Sequence, residues 1–233
     1  MATYLQIVQQ VADESGTLSG STISTLSGIA GRGKRMKQWV TDAWSEIQTE
    51  QRSWRWLDSD FSGTTLSGTR QYSAAGMGIS SRFGHWKWTS TDWTENAFTV
   101  YETSKGQSDE GHLQYVPWNL YRRIYLVGSN AALTGKPTRF SIAPNNRIDL
   151  HPIPDDDFTI RGIYQKAPQT LSVDDDTPEC PSQYHEAIKW LALVKLAVFD
   201  LVAADAYLSF YQRAMHNLRI DQMPRFEPAE PLA

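Results

Sequence analysis

Apolar residues recur at helical spacing at the start of the chain, and this pattern predicts a short amphipathic helix over residues 3–14. Three apolar residues fall on one face of it: Leu5, Val8 and Ala12. Thr3 and Gln6 have the spacing of a capping box, in which each side chain caps the other's backbone amide. Gly16 is placed to end the helix, because glycine readily adopts the left-handed conformation of a helix end.

A second helix is predicted from about Ile29 or Lys34 to Gln51. Its apolar residues repeat every three or four positions and define a single stripe. The stripe consists of Met36, Val40, Ala43, Trp44 and Ile47. We therefore expect this helix to bury one face against the rest of the protein.

The last helical pattern follows an acidic, proline-containing connector at residues 166–181. Neither glycine nor proline interrupts residues 182–223, and Ser182 is the predicted N-cap. The apolar positions follow the helical period: Tyr184, Ile188, Leu191, Ala192, Val198, Phe199, Val202, Ala206 and Phe210. One helix over this span would contain about 40 residues and measure roughly 60 Å. A break near Asp205 is the alternative.

Between Trp54 and about Gln165 the helical period gives way to short β-type runs separated by turn residues. Strands are predicted near residues 97–101, 123–127, 147–151 and 158–164. Asn145 and Asn146 predict a hairpin turn between residues 140–142 and 147–150. This part of the chain is therefore interpreted as an antiparallel β insertion.

Together these patterns predict an α+β protein with a discontinuous helical core. Residues 1–56 and 182–223 form the core: a short N-terminal helix, a Trp-bearing second helix and a long C-terminal helix. Residues 57–181 form the β-rich insertion and connector. Residues 224–233 contain three prolines and are predicted to be an extended C-terminal arm.

Composition narrows the classes of function for this chain of 233 residues. Aromatic residues make up 12% of it, which favours a folded protein over a disordered one. The net charge of −4 excludes a generally basic nucleic-acid binder but leaves room for a local basic patch. A single cysteine, Cys180, excludes a disulfide framework and a cysteine-rich zinc site. Neither a secretory signal nor an apolar run long enough to cross a membrane is expected.

Residues 28–34 fit the phosphate-loop pattern G-x-x-x-x-G-K, and residues 196–200 fit four apolar residues followed by Asp200. Lys34 would then contact phosphates. However, Arg35 follows Lys34 and has no hydroxyl for Mg²⁺, and Asp200 lies within a helical pattern. The chain also lacks β-α-β alternation. We interpret the motif as a glycine-rich loop before a basic helix start.

The basic residues at that helix start are Arg32, Lys34, Arg35 and Lys37. They are candidates for contact with an acidic partner or with DNA, and a solvated helix face is the alternative. Large aromatic side chains are candidates for a subunit interface or for the core: Trp39, Trp44, Trp54 and Trp56. The acidic triplets at 155–157 and 174–176 are interpreted as turns. We assign no catalytic residue, cofactor or metal site, and a Cys180 nucleophile stays a minor alternative.

Four stretches, taken in order, resemble a known family and cover roughly half the chain. The first two are MATYLQIVQQVADESGTLSG at residues 1–20 and RMKQWVTDAWSEIQTEQRSWRWL at 35–57. The third, at 137–171, contains P-x-x-F, L-x-P-x-P and Y-x-x-x-P-x-x-L. The fourth, at 174–193, contains P-x-x-P-x-x-Y-H. In this order they resemble the head-to-tail adaptor (connector) proteins of tailed bacteriophages.

The resemblance implies a structural virion protein, made in the bacterial host cytoplasm and built into the neck. Such proteins form a ring, usually a dodecamer, beneath the portal protein; the ring extends the DNA channel and docks the next tail component. The helical part builds the ring, and the C-terminal segment reaches the portal, with anchors at Met223, Pro224, Arg225 and Phe226. Packaged DNA passes without sequence-specific binding, and no enzyme activity, cofactor or membrane is involved.

Three alternatives stay open from the sequence. The chain could be another tail-completion or stopper protein, although a long C-terminal helix argues against a small β-barrel stopper. It could be a nucleotide hydrolase that uses Lys34. It could also be a module that binds nucleic acid or carbohydrate through the Trp-rich segment 86–93, which would require exposed rings.

Overall fold

Helices and strands occupy separate parts of the chain in the computed structural model, which describes residues 1–16, 23–51, 54–88 and 98–222. Within these ranges the protein is mixed α+β, with five α-helices and two sheets. The helices are α1 (Tyr4–Glu14), α2 (Gly31–Glu50), α3 (Trp118–Tyr125), α4 (His185–Phe199) and α5 (Asp205–Gln222). Two compact units result: a helical unit of residues 1–57 and 168–233, and a sheet unit of residues 58–167.

The first helix forms as its sequence predicts. Thr3 Oγ1 accepts a hydrogen bond from the Gln6 amide, and Gln6 Oε1 accepts one from the Thr3 amide, at 3.3 and 2.9 Å. The capping box is therefore confirmed. Gly16 follows the helix with a φ of +61°, a conformation that glycine adopts without a steric penalty.

The predicted stripe of α2 is also confirmed and lies in the core of the helical unit. Met36, Val40, Ala43, Trp44 and Ile47 are all buried. They join the buried faces of α1 and α4, and α4 packs against α1, α2 and α5. The helical core therefore depends on an apolar period that is visible in the sequence.

The prediction of one long C-terminal helix is wrong and the alternative of a break near Asp205 is right, because α4 ends at Phe199 and α5 begins at Asp205. The short link reverses the chain so that α5 lies against α4 and buries Ala214, Met215 and Leu218. Burial of an apolar face outweighs the helix propensity of a continuous segment. Ser182 is not the N-cap: it begins a 3₁₀ turn, and Tyr184 precedes α4 without a side-chain cap.

The sheet unit contains nine short strands in two sheets. They are β1 (Asp58–Thr64), β2 (Gln71–Tyr72), β3 (Phe83–Lys87), β4 (Thr99–Glu102), β5 (Gly111–His112), β6 (Gln114–Tyr115), β7 (Arg139–Ile142), β8 (Ile148–His151) and β9 (Phe158–Lys166). In the first sheet β9 pairs antiparallel with β1 along one edge and with β4 and β3 along the other, and β5 pairs with β4. The second has the order β2-β8-β7-β6, and only β6 and β7 run parallel.

The predicted hairpin at Asn145 and Asn146 is confirmed between β7 and β8. Asn146 has a φ of +59°, which asparagine tolerates better than most residues. The Ala143 and Arg147 backbones are hydrogen-bonded at 2.9 Å, and the Arg147 amide donates to Asn145 Oδ1 at 3.2 Å. The strand predicted at 123–127 is wrong, because those residues begin within α3. Short apolar runs fit either period, and here the helix buries Tyr121 completely.

The core of the sheet unit is rich in aromatic rings. Phe98 stacks on Phe140 with ring centroids 4.6 Å apart, and Phe61 packs edge-on against Phe98 and Trp86. Trp86 is 1% exposed, and its Nε1 donates to the Asn146 carbonyl at 2.9 Å. This buried ring cannot form part of the exposed platform that the carbohydrate alternative requires. Trp93 lies outside the described residues.

The face of the second sheet that points away from the aromatic core buries polar side chains. Ser141 and Asp149 are cross-strand neighbours on β7 and β8, and both are fully buried with His151 beside them. Each has one atom without a hydrogen-bond partner: Ser141 Oγ, Asp149 Oδ1 and His151 Nδ1. Burial raises the pKa of Asp149, and the hydrogen bond from Gln71 and the charge of Arg70 lower it by less. The ionised carboxylate of Asp149 therefore lowers the stability of the sheet unit.

We predict that Trp44→Ala destabilises the protein by about 3–5 kcal/mol, because it removes a fully buried ring and leaves a cavity. Urea unfolding measures this loss. Trp44→Phe is the matched control and should cost much less, since it keeps most of the volume and removes an indole N–H that has no partner. A loss below about 1 kcal/mol for the alanine variant would contradict the assignment of Trp44 to the core.

We predict that Asp149→Asn raises the melting temperature at pH 7. A carboxyl whose folded pKa is raised contributes stability that is fully present below its unfolded pKa, about 4, and is lost as the pH rises through the folded pKa. Asparagine keeps an oxygen for Gln71 and carries no charge. The advantage of the variant should therefore shrink as the pH falls towards about 4.

Thermal unfolding at several pH values checks this expectation. Asp60→Asn, at an exposed position, is the control and should shift the curve little. A wild-type protein that is more stable than Asp149→Asn at pH 7 would show that the buried charge is stabilising.

Candidate interaction surface at the start of α2

The start of α2 carries positive charge where the helix dipole disfavours it. Arg32, Lys34 and Arg35 lie in or next to the first turn, which has no acidic residue, and Ala30 provides no side-chain cap. Cations at a helix N-terminus cost a few tenths of a kcal/mol each. Arg32 offsets this cost through an ion pair with Asp200, the C-cap of α4, where a carboxylate is also disfavoured. The pair joins the start of one helix to the end of another.

Arg35 and Trp39 contact the last residue of α4. The Arg35 guanidinium lies over the Phe199 ring, 4.3 Å from its centroid, and the Trp39 and Phe199 centroids are 5.5 Å apart. Cation–π contact of this kind is worth about 0.5–1 kcal/mol at an exposed site. Arg32, Arg35 and Trp39 therefore form one flank of α2, next to the end of α4.

The lysines of the predicted basic cluster lie on the other flank. Lys37 Nζ donates to the Leu26 carbonyl at 3.2 Å, and Lys34 is exposed. The four basic residues are thus divided between two surfaces of α2 and do not form one patch. Their assignment as contacts for an acidic partner or DNA stays a prediction.

The phosphate-loop pattern does not build a nucleotide site. Asp200 follows a helix and not a strand, and its carboxylate is held by Arg32. All the described strands lie between residues 58 and 166, so none leads into Gly28 among the described residues. Lys34 therefore has neither the phosphate cradle nor the magnesium partner that nucleotide hydrolysis requires.

An exposed apolar patch, which we call the 198–202 patch, lies at the end of α4. The sequence predicts Val198, Phe199 and Val202 on the apolar face of a long helix, whereas Leu201 is not part of that prediction. The exposed fractions of all four are large: Val198 64%, Phe199 50%, Leu201 93% and Val202 57%. Ala206 and Phe210, predicted on the same face, are exposed as well. The sequence pattern does not predict this patch, because a helix that continued past Asp200 would place Val198, Phe199 and Val202 on its apolar face.

The backbone of the patch ends α4 in a tight cap. The Val202 amide donates to Ala197 at 3.0 Å and the Leu201 amide to Val198 at 3.4 Å, the two bonds of a Schellman motif. Leu201 occupies its left-handed position with a φ of +55°, where glycine is preferred. A residue with a side chain costs roughly 1 kcal/mol there. Leu201 thus combines backbone strain with a nearly fully exposed apolar side chain.

The opposite flank of α2 borders a groove, which we call the 26–28/172–175 groove. Its volume is about 540 Å³, and its lining is Leu26, Ser27, Gly28, Lys37, Ser172, Val173, Asp174 and Asp175. A second cavity of about 490 Å³ adjoins it and extends along α2 past Lys34 and Gln38 to Thr41. The two share Leu26, Gly28, Lys37 and Ser172.

The acidic triplet of the connector shapes this groove, as the turn interpretation predicts. Asp176 Oδ2 accepts hydrogen bonds from the Ser172 and Val173 amides, and these bonds lower the pKa of Asp176. Asp174 Oδ1 accepts from the Leu26 amide at 2.9 Å and so joins the two walls. Hydrogen bonds lower the pKa of Asp174, and the bond from the Thr25 side chain has the largest effect. Asp175 alone is exposed.

The four candidate tryptophans differ in exposure. Trp44 and Trp54 are fully buried, and Trp54 Nε1 donates to the Ile47 carbonyl at 2.9 Å. Trp56 stacks on Trp54 with centroids 4.3 Å apart. Trp56 and Trp39 are half-buried and keep surface that a neighbouring subunit could cover. The portal-binding candidates Met223, Pro224, Arg225 and Phe226 lie outside the described residues.

Cys180 is not set up as a nucleophile. Burial raises the pKa of its thiol to about 12, so the reactive thiolate is scarce at neutral pH. His185 is buried beside it; its Nδ1 accepts from the Ala2 amide at 3.2 Å and its Nε2 lies 3.1 Å from the Cys180 carbonyl. Burial lowers the pKa of this imidazole. A neutral ring with both nitrogens engaged fastens the N-terminus to the start of α4.

Across the described residues, no three His, Cys, Asp or Glu side chains come together as a metal site. None of the helices described is both long and apolar enough to cross a membrane. Compared with models of known protein families, residues 2–230 match the family described as SU10 adaptor protein. No curated protein matches the chain.

We predict that Leu201→Gly raises the melting temperature of the unassembled chain slightly, because glycine removes the strain of a positive φ at a side chain that makes little contact. The gain should be about 1 kcal/mol or less, since glycine also gives the unfolded chain more freedom. Leu201→Ala is the control: it keeps the strain, so it should not be stabilising. A clear loss of stability in Leu201→Gly would show that the Leu201 side chain supports the fold.

Proposed function

We propose that this chain, which belongs to the SU10 adaptor protein family of phage head-to-tail adaptors, is a structural protein of the virion neck. It forms a ring beneath the portal, extends the DNA channel and docks the next tail component. The single observation that carries this proposal is the family match over residues 2–230, which includes both units. The copy number implied by the family resemblance is that of a dodecamer.

The helical unit is the part that we propose builds the ring. Its surface exposes the apolar 198–202 patch, and exposed apolar patches of this kind mark protein–protein contacts. Trp39 and Trp56 are the predicted interface tryptophans with surface left to cover. Trp44 and Trp54 are fully buried in the helical core, so the interface proposal does not include them.

Residues 224–233 are proposed as an arm that reaches the portal, with anchors at Met223, Pro224, Arg225 and Phe226. A proline-rich segment with isolated large side chains suits recognition in an extended conformation, because little chain entropy is lost on binding. The proposal rests on sequence chemistry and on the family resemblance.

DNA passes through the proposed ring without sequence-specific contacts. The chain has a net charge of −4, and a wall with little positive charge does not hold phosphates through counterion release. The basic residues of α2 support the same view. Arg32 pairs with Asp200, Arg35 covers Phe199 and Lys37 donates to Leu26, so Lys34 is the basic residue of this cluster best placed for DNA or an acidic partner.

We predict that the full chain joins the portal ring in a fixed ratio and that a chain ending at Gln222 joins it at least about tenfold more weakly. The loss reflects the missing anchors of the arm, so the melting temperature should not change. Sedimentation of each chain with the portal measures joining.

A Met223→Ala/Phe226→Ala variant keeps the arm and removes only its anchors; Ala229→Ser is its matched control. The anchor variant should lose attachment and the control should not. Equal attachment of the full and truncated chains would remove the arm assignment. A full chain that never joins the portal would overturn the proposed function itself.

A further inference from the structure

Two different surfaces lie on opposite flanks of α2. Arg32, Arg35 and Trp39 follow helical spacing and face the end of α4, where they contact Asp200 and Phe199. Lys34, Lys37, Gln38 and Thr41 follow the same spacing about half a turn away. All four line the second cavity, and Lys37 also lines the adjoining 26–28/172–175 groove. The helix therefore separates a projecting apolar patch from a recess, and both belong to the same unit.

The 198–202 patch is an exposed apolar surface of the kind that proteins bury in contacts with a partner. Its most exposed member, Leu201, is held in a strained conformation at a position where glycine would be the simpler choice. Arg35 lies beside it over Phe199, and Arg32 is partly exposed despite its ion pair. A surface complementary to this patch would present an apolar side chain next to a carboxylate, because the patch places apolar residues next to arginines.

The 26–28/172–175 groove offers that combination. Val173 is its exposed apolar side chain, at 59%, whereas Leu26 is buried beneath it. Asp175 is an exposed carboxylate at its edge with no ion-pair partner in the part of the chain that the structure describes. Lys37 sits within the groove, but its ammonium donates to the Leu26 carbonyl. A volume of about 540 Å³ is ample for the side chains of the patch.

We propose that the 198–202 patch of one copy docks into the 26–28/172–175 groove of a second copy, with Arg35 of the first facing Asp175 of the second. This inference rests on the proposed ring and names the surfaces that build it. A contact between two different surfaces repeats from copy to copy and closes into a ring when the rotation allows. Patch-to-patch pairing would instead bring Arg32 and Arg35 of both copies together, and like charges oppose it.

Cross-linking between one introduced cysteine on each surface tests the contact directly. Cys180, the only cysteine of the chain, is 4% exposed, so an introduced cysteine is the accessible thiol. Leu201→Cys and Ser27→Cys place one thiol on each surface, both at exposed positions. The two variants are mixed, assembled on the portal and treated with a short bis-maleimide.

The expected result is a cross-linked dimer that contains one chain of each variant and is absent when either variant is treated alone. Ser45→Cys replaces Ser27→Cys in the matched control, because Ser45 is an exposed serine of α2 on the groove flank but lies beyond the groove. The control mixture should give no dimer. Strong dimers of Leu201→Cys with itself, or no mixed dimer in particles that contain the protein, would overturn the proposal.

A charge exchange provides a second measurement. Arg35→Asp and Asp175→Arg should each weaken assembly of the ring by about tenfold or more, since each places like charges in the contact. The double variant restores the pair and should recover most of the loss. If the loss of assembly in the double variant equals the sum of the losses in the two single variants, the two residues do not face each other.

Failure of this inference is distinct from failure of the proposed function. If the wild-type chain joins the portal but the cysteine pairs and charge exchange give the opposing results, only the contact surfaces are wrong. If the wild-type chain does not join the portal under the same conditions, the proposed function is wrong and the inference falls with it.

Discussion

The reversal of the chain between α4 and α5 is the constraint on which the helical unit depends. Only because the chain turns back at residues 200–204 can α5 bury Ala214, Met215 and Leu218 against α4. The cap that makes the turn places Leu201 in a left-handed conformation and leaves apolar side chains of the α4 end outside the core. One local event thus completes the core and creates the exposed patch.

Electrostatics at the same place join the elements of the unit. The end of α4 carries a carboxylate and the start of α2 carries arginines, and each charge opposes the dipole of its own helix. The Arg32–Asp200 pair and the Arg35–Phe199 contact offset both costs. The residues that imitate a phosphate loop in the sequence therefore serve to fasten two helix ends.

Features set by local chemistry could be predicted from the sequence. The capping box at Thr3 and Gln6, the buried stripe of α2 and the Asn145–Asn146 turn each depend on residues close together in the chain, and each is confirmed. The sequence leaves open the choice between one long helix and a break near Asp205, because residues 200–204 contain neither glycine nor proline and the burial of α5 decides between the two. The 198–202 patch depends on that break, so the prediction of a continuous helix hides it. The sequence wrongly predicts a strand at 123–127, because short apolar runs fit both periods until burial selects one.

Assembly of this adaptor through the 198–202 patch of one copy and the 26–28/172–175 groove of the next can be tested most directly by electron cryomicroscopy of the full chain assembled on the portal ring. We expect a closed ring in which the loop around Leu201 of each copy sits in the groove beside Asp175 of the next. A ring in which Leu201 faces solvent would contradict the proposed contact, and a portal with no copies of the chain below it would contradict the proposed function.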